Sequence, residues 1–219
     1  MSDTDSFINE VSEEVRRDAL YGYLRKYGWI AVVVVLGLVG GAAYNEYSKS
    51  QARATSQAAG DALLDALNSD NDSAARAAAL ATVEVEGSAV AVSALLTAAS
   101  HQEAGDTASA AAALGALAIN IDVPEIYREL GALKAAMLPS DDADARMAAL
   151  DALAQPGAPF YLLALEQIAL MQVAAGDTDT ALATLGRIAE DAGVTRGLRE
   201  RAQTLIVALG GEITIPAAE

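Results

Sequence analysis

One uncharged stretch, residues 27–45, constrains this chain more than any other feature. As a helix, its 19 residues would span about 28 Å, close to the hydrocarbon thickness of a bilayer. Aromatic side chains, which favour the headgroup level, lie at both ends: Tyr27, Trp29, Tyr44 and Tyr47. The four valines at 32–35 do not predict a strand, because an open strand in lipid leaves its backbone groups unpaired. We predict a single transmembrane helix over residues 27–47.

The basic residues on either side of this helix predict its orientation. Four precede it, at 16, 17, 25 and 26, and two, Lys49 and Arg53, follow within comparable reach. The excess of basic residues before the helix favours a cytoplasmic N-terminus. The part of the chain after the helix then lies on the opposite side of the membrane, which in a bacterium is the periplasm. The 26 residues before the helix include six acidic ones. Signal peptides begin with a short basic segment, so we favour an uncleaved inner-membrane anchor over a cleaved signal.

Residues 1–26 form the predicted cytoplasmic tail. Phe7, Val11, Val15 and Ala19 recur every four residues, which predicts a short amphipathic helix. That helix is interpreted either as a surface helix beside the membrane or as a contact for a cytoplasmic partner. Beyond the membrane helix we predict a helical domain over residues 48–209 and a flexible tail over residues 210–219.

The charge balance narrows the classes of partner. The net charge is −16, and residues 46–219 carry −14 of it, so nucleic acid is not an expected partner. Because the chain has no cysteine, disulfides, thiolate catalysis and sulfur-ligated metal sites are excluded. We expect protein partners and a membrane, but no cofactor, metal ion or small-molecule substrate. The sequence does not predict the oligomeric state.

The domain is predicted to consist of short helices joined by tight connections. Polar, glycine- or proline-containing breaks fall at residues 68–72, 87–88, 105–107, 122–124, 138–142, 155–159, 176–178 and 193–197. Asp72 or Ser73 is expected to cap the helix that follows the first break. Gly105 and Gly176 are expected to end one helix just before a polar residue caps the next. Helices of this length with short connections predict stacked antiparallel pairs.

The break at Gly105 and its flanking sequence repeat further along the chain. Residues 104–107 (Ala-Gly-Asp-Thr) reappear at 175–178, an offset of 71 residues. A weaker copy lies midway, with Asp141 in the glycine position, and a more degenerate one begins near Ser69. A helix–turn–helix period of 34 to 36 residues is typical of a tetratricopeptide-type solenoid. The predicted fold is therefore all-α: a solenoid of helical hairpins on one N-terminal transmembrane helix.

The aligned copies also predict which residues pack the hairpins. Small residues in both helices of a hairpin let the helices approach closely, and the leucines are expected in the core. These residues are Ala98, Gly105, Ala110, Leu114, Leu150, Ala169, Gly176, Ala181 and Leu185. Gly37 and Gly41 form a Gly-x-x-x-Gly step, which could pack on another membrane helix or simply belong to a glycine-tolerant span.

The layout as a whole resembles a known family. The motifs that carry the resemblance are residues 7–11, 16–17 and 25–29 before the membrane helix, and 160–166, 175–177 and 198–203 near the end. The chain resembles the tetratricopeptide-like proteins grouped with the YfgM-type ancillary subunit of the bacterial Sec translocon. That resemblance implies a periplasmic helical-repeat domain which associates with translocon subunits and with a membrane-anchored periplasmic chaperone.

No residue pattern predicts an enzyme. His101 is the only histidine, and no serine–histidine–acid arrangement accompanies it. An EF-hand loop starting at Asp70 fails, because Ala75 and Ala81 stand where it needs glycine and glutamate. We therefore predict an interaction protein. The alternatives are a scaffold for another envelope or respiratory complex, a membrane-tethered hydrolase, and an anchor whose cytoplasmic helix is the working part.

Overall fold

The computed structural model describes the backbone of residues 3–69 and 72–212. Within those ranges it describes the side chains from residue 25 onward, except at residue 31. All the regular elements of these ranges are α-helices, so the all-α prediction is confirmed. The chain divides into two compact units, residues 1–57 and residues 58–219.

The helices follow one another with short connections. Their bounds are α1 Asp3–Asn68, α2 Ser73–Ala81, α3 Ser88–Glu103, α4 Thr107–Ile119, α5 Glu125–Met137, α6 Ala143–Leu153, α7 Tyr161–Ala174, α8 Thr178–Glu190 and α9 Arg196–Ala208. The predicted breaks at 122–124, 138–142 and 155–159 are confirmed. Those at 105–107 and 176–178 are confirmed except for their last residues, Thr107 and Thr178, which begin α4 and α8. The described residues of the break at 68–72 agree with the end of α1 and the start of α2.

The described residues of the first unit all lie in helix α1. Within the described residues, the segment Arg25–Asn68 is long and apolar enough to cross a membrane, with a mean hydropathy of 1.9 in its most apolar window. The four valines at 32–35 are helical and between 54% and 58% exposed. The amphipathic face expected before residue 25 involves side chains outside the described residues, so it stays a prediction.

The second unit is a stack of helical hairpins. The end of α1 shares a core cluster with α2 through Leu63, Ala66 and Leu80. Helix α3 pairs with α4, α5 with α6 and α7 with α8, and α9 closes the series. Each helix from α2 to α9 packs on the next, and α3 also contacts α5. The core divides into several clusters along this series rather than one central core. Packing of this kind, in which each hairpin contacts only the neighbouring hairpins, is characteristic of a solenoid.

The same aspartate cap begins the second helix of all four hairpins. Each carboxylate accepts a hydrogen bond from the backbone N–H three residues later, at 3.2, 3.0, 2.9 and 3.3 Å, in the order Asp72, Asp106, Asp142 and Asp177. Eight residues after each cap stands a leucine that is at most 2% exposed: Leu80, Leu114, Leu150 and Leu185. The degenerate first copy predicted near Ser69 therefore keeps both the capping aspartate and the buried leucine.

The last predicted break, at residues 193–197, is wrong for residues 196 and 197, which belong to α9. Helix α9 begins at Arg196, because the side chain of Thr195 accepts a hydrogen bond from the N–H of Leu198 at 3.4 Å. Gly197 therefore lies in the first turn of α9 rather than in the connection. Of the predicted flexible tail, the structure describes Gly210–Glu212, and residues 213–219 lie outside the described residues.

Candidate interaction site

The small residues chosen from the repeat lie at the interior of the hairpins. Ala98 in α3 and Ala169 in α7 are each 1% exposed, and Ala110 in α4 and Ala181 in α8 are fully buried. Ala98 and Ala110 share a core cluster with Leu114. The other two leucines chosen from the repeat, at 150 and 185, lie with Ala169 in the cluster that extends from α5 to α9.

Gly105 and Gly176 form the turns between the helices of their hairpins. Their φ angles are +77° and +79°, in the left-handed region that favours glycine. The aspartate after each glycine caps the next helix. The third hairpin lacks this turn. Its helices are joined by the longer connection 138–142, where Leu138 is buried.

Gly37 and Gly41 lie on an open helix surface. A Cβ atom added at either glycine would meet nothing within 4 Å. A contact between this face and another membrane helix stays a prediction.

Gly131 lies at a close contact between α4 and α5 that no sequence pattern predicts. A Cβ atom there would lie 3.0 Å from the carbonyl oxygen of Leu114 and 3.1 Å from Cγ of Leu117. Helix α5 therefore approaches the backbone of α4 at this residue. A single glycine inside a helical pattern does not reveal which neighbour comes close, so the sequence alone could not identify this contact.

One ion pair joins α7 to α9. Nε and Nη2 of Arg201 donate to the two carboxylate oxygens of Glu166, at 2.7 and 2.9 Å. The Glu166 side chain is 10% exposed, whereas that of Arg201 is 55% exposed. The hydrogen bonds to Glu166 and its negative charge raise the pKa of Arg201. A buried carboxylate thus fixes the orientation of an exposed guanidinium.

None of the patterns described above predicts this pair, although the sequence holds a signal for it. The two residues are 35 positions apart, which is one repeat, so they fall on successive first helices of the stack. Opposite charges at the repeat spacing would have indicated a contact between neighbouring repeats. The predicted break at 193–197 placed the start of α9 two residues too late. The contact between Glu166 and Arg201 could therefore not be assigned from the sequence.

Arg201 lies between two depressions on the surface. One, of about 600 Å³, runs between α7 and α9 and is lined by Gln167, Leu170 and Leu205. The other, of about 680 Å³, lies against the connection 156–159 and includes Leu163. Leu163 and Leu170 are 37% and 40% exposed. They are seven residues apart, which is two helical turns, and so share one face of α7. We call these two depressions together the α7–α9 groove.

The groove combines exposed apolar side chains with the oriented guanidinium of Arg201. Leu163 and Leu170 can bury apolar side chains of another polypeptide. The exposed edge of the Arg201 guanidinium can donate to a carboxylate or a carbonyl oxygen. This combination suits recognition of a polypeptide segment.

His101 and Asp106 meet at the turn of the second hairpin. Nδ1 of the histidine lies 3.7 Å from a carboxylate oxygen of Asp106. The pKa of Asp106 is lowered, first by hydrogen bonds from the side chain and backbone of Ser109, and also by the charge of His101. The histidine therefore lies beside a helix cap.

Comparison with known families agrees with this architecture. Residues 22–162, more than half of the chain, match the model of a tetratricopeptide repeat-like domain. The chain belongs to the tetratricopeptide repeat-like family. Domains of this family are protein–protein interaction modules and are generally not catalytic. No curated protein and no solved structure matches the chain. The aspartate-and-leucine repeat continues past the matched residues, through Asp177 and Leu185.

Proposed function

We propose that this chain is a membrane-anchored interaction protein of the bacterial envelope. In this proposal residues 27–47 form the anchor, residues 1–26 lie in the cytoplasm, and the domain at 48–209 lies in the periplasm. The role is that of an ancillary Sec translocon subunit which connects the channel to a membrane-anchored periplasmic chaperone. The sequence resemblance and the excess of basic residues before the anchor support this assignment.

The α7–α9 groove is the observation that carries the docking function. Its two exposed leucines and its fixed guanidinium face solvent. The sequence of residues 58–212 is otherwise strongly acidic. An acidic surface discourages non-specific contact with acidic proteins. A segment that presents an apolar residue beside a carboxylate would gain both contact area and a charge-assisted hydrogen bond at this groove.

The direct test is extraction of the tagged full-length protein in mild detergent, followed by crosslinking and mass spectrometry. We expect translocon subunits and a periplasmic chaperone, crosslinked to residues beyond 46. The variants Leu170→Ser and Arg201→Ala should reduce their recovery about tenfold, since each removes roughly one favourable contact. Arg196→Ala is the matched control, because Arg196 lies on the same helix and its side chain is 92% exposed.

The outcome also separates this proposal from its alternative. Recovery of a respiratory or other envelope complex through the same groove would favour a scaffold for that complex and reject the translocon assignment. Crosslinks that arise only from residues 1–26 would make the cytoplasmic helix the working part and reject the groove.

A further inference from the structure

The fourth hairpin carries polar side chains at two positions of α8 where other hairpins carry alanine. The residue before its buried leucine is Thr184, which is 5% exposed. The corresponding residues of the other three hairpins are all alanine, at positions 79, 113 and 149. Two residues after the leucine stands Arg187, whereas the second and third hairpins have alanine there, at 116 and 152, and the first has Thr82. Since alanine meets the packing needs of other hairpins, packing alone does not explain Thr184 and Arg187.

Thr184 and Arg187 line one cleft, which we call the α6–α8 cleft. It has a volume of about 370 Å³ and lies between α6 and α8, both of which pack on α7. Asp151 lines it from α6, and the buried Leu165 and Ile168 line it from α7. None of its lining residues belongs to the α7–α9 groove. A cleft with a few polar groups over apolar side chains is suited to binding a small chemical group.

The polar groups of the α6–α8 cleft have hydrogen-bonding capacity to spare. The hydroxyl of Thr184 donates to Oε1 of Gln172 at 2.9 Å, and Nε2 of Gln172 donates to no group in the described part of the chain. Nη2 of Arg187 donates to the hydroxyl of Tyr161 at 3.1 Å. The other N–H groups of that guanidinium, and the carboxylate of Asp151, have no hydrogen-bond partner among the residues that the structure describes. A ligand in the cleft can therefore bond to all three side chains.

Charge decides what kind of group the cleft accepts. Asp151 and Arg187 are the charged residues among its described lining, one on α6 and the other on α8, and they form no ion pair with each other. An anion would be repelled by Asp151, and a cation by Arg187. A neutral carboxamide suits both, because its oxygen accepts from Arg187 and Gln172 while its N–H groups donate to Asp151.

We propose that the α6–α8 cleft binds the side-chain amide of an asparagine or glutamine in a partner polypeptide. The amide bonds to Arg187, Gln172 and Asp151, and the methylene groups of the same side chain contact Leu165 and Ile168. A polypeptide source agrees with the family, whose domains are protein–protein interaction modules. The proposal concerns a second site and does not depend on what docks in the α7–α9 groove.

Titration of the full-length protein in detergent micelles with three small probes tests the ligand chemistry. Propionamide, propionate and propylammonium have nearly the same shape but are neutral, negative and positive. The readout is the NMR signal of the Gln172 side-chain amide, which is assigned by its loss in Gln172→Ala. We expect propionamide to shift this signal saturably, with a dissociation constant on the order of 10 mM for a ligand of so few atoms. The two charged probes should bind at least about tenfold more weakly.

Substitution by alanine, the residue of other hairpins, separates binding from stability. Arg187→Ala and Thr184→Ala should each weaken propionamide binding about tenfold, the first by removing a donor and the second by releasing Gln172. Each should leave the urea midpoint of the full-length protein within about 0.5 M of the parent, because alanine packs at corresponding positions of the stack. Arg196→Ala is the matched control and should change neither quantity, because Arg196 is 92% exposed and lies outside the cleft.

Photo-crosslinking in living cells tests the source of the amide. A photoreactive residue at Thr180, which lines the cleft, should form a polypeptide adduct. That adduct should be lost with Arg187→Ala and retained with Arg196→Ala. Mass spectrometry of the crosslinked peptide should find an asparagine or glutamine beside the point of attachment.

Three results would overturn the proposal. One is propionamide binding that is absent or no tighter than that of propionate or propylammonium. Another is a fall of the urea midpoint by more than about 0.5 M in Arg187→Ala or Thr184→Ala, which would give these side chains a structural role. The third is propionamide binding without a polypeptide adduct that depends on Arg187, which would assign the cleft to a small-molecule amide.

Discussion

Replacing Leu185 with alanine should strongly destabilise the repeat domain. Leu185 is fully buried in the cluster that joins α5 to α9. The substitution removes three carbon atoms, or about 2.4 kcal/mol at about 0.8 kcal/mol for each buried methylene. The cavity that remains adds to this loss, so the total should lie between about 2.5 and 5 kcal/mol. With a urea slope of about 2 kcal/mol per molar, the unfolding midpoint should fall by about 1 to 2.5 M.

The assay is urea unfolding of the compact unit, residues 58–219, followed by helical circular dichroism. Leu163→Ala is the control, because Leu163 lies on the neighbouring helix and is 37% exposed. We expect the control to lose less than about 1 kcal/mol, since little apolar surface is uncovered. Equal losses for the two variants would refute the register of the repeat, which places Leu185 inside.

Three further predictions follow from individual contacts. The lowered pKa of Asp106 means that its cap stabilises the fold above pH 4 and is lost as pH falls through the folded pKa. Asp106→Asn should therefore show a smaller fall of the urea midpoint than the parent as the pH is lowered below about 4. Gly131→Ala should cost about 1–3 kcal/mol of unfolding free energy, whereas Gly115→Ala, where a Cβ atom is free, should cost nothing. Glu166→Gln should lower the unfolding free energy by about 0.5–1.5 kcal/mol, because solvent screens the charge of the exposed Arg201. Glu200→Gln, which breaks an exposed ion pair, should lower it by less than about 0.5 kcal/mol.

The features that the sequence predicts well are local ones. A glycine followed by aspartate marks a hairpin turn because left-handed backbone and an N-cap each need particular residues. Since the turns recur at 34 to 36 residues, the stack of hairpins follows from the sequence as well. The early repeat escaped clear recognition because only Asp72 and Leu80 preserve the pattern there.

The candidate site depends on contacts that no local pattern encodes. Glu166 and Arg201 meet because α7 and α9 are successive first helices of the stack. The close approach at Gly131 arises from the angle between α4 and α5. Both depend on how hairpins pack on one another, and that packing is determined by the whole set of interior side chains. The sequence could therefore predict the scaffold but not the groove.

Photo-crosslinking in living cells tests the central claim most directly. A photoreactive residue is introduced in the full-length chain at Gln167, which lines the α7–α9 groove, or at Ala183, which is exposed on α8. We predict a discrete adduct with a translocon subunit or a periplasmic chaperone from position 167, absent from position 183 and lost with Leu170→Ser. The same adducts from both positions, or none from position 167, would contradict a docking function for this groove.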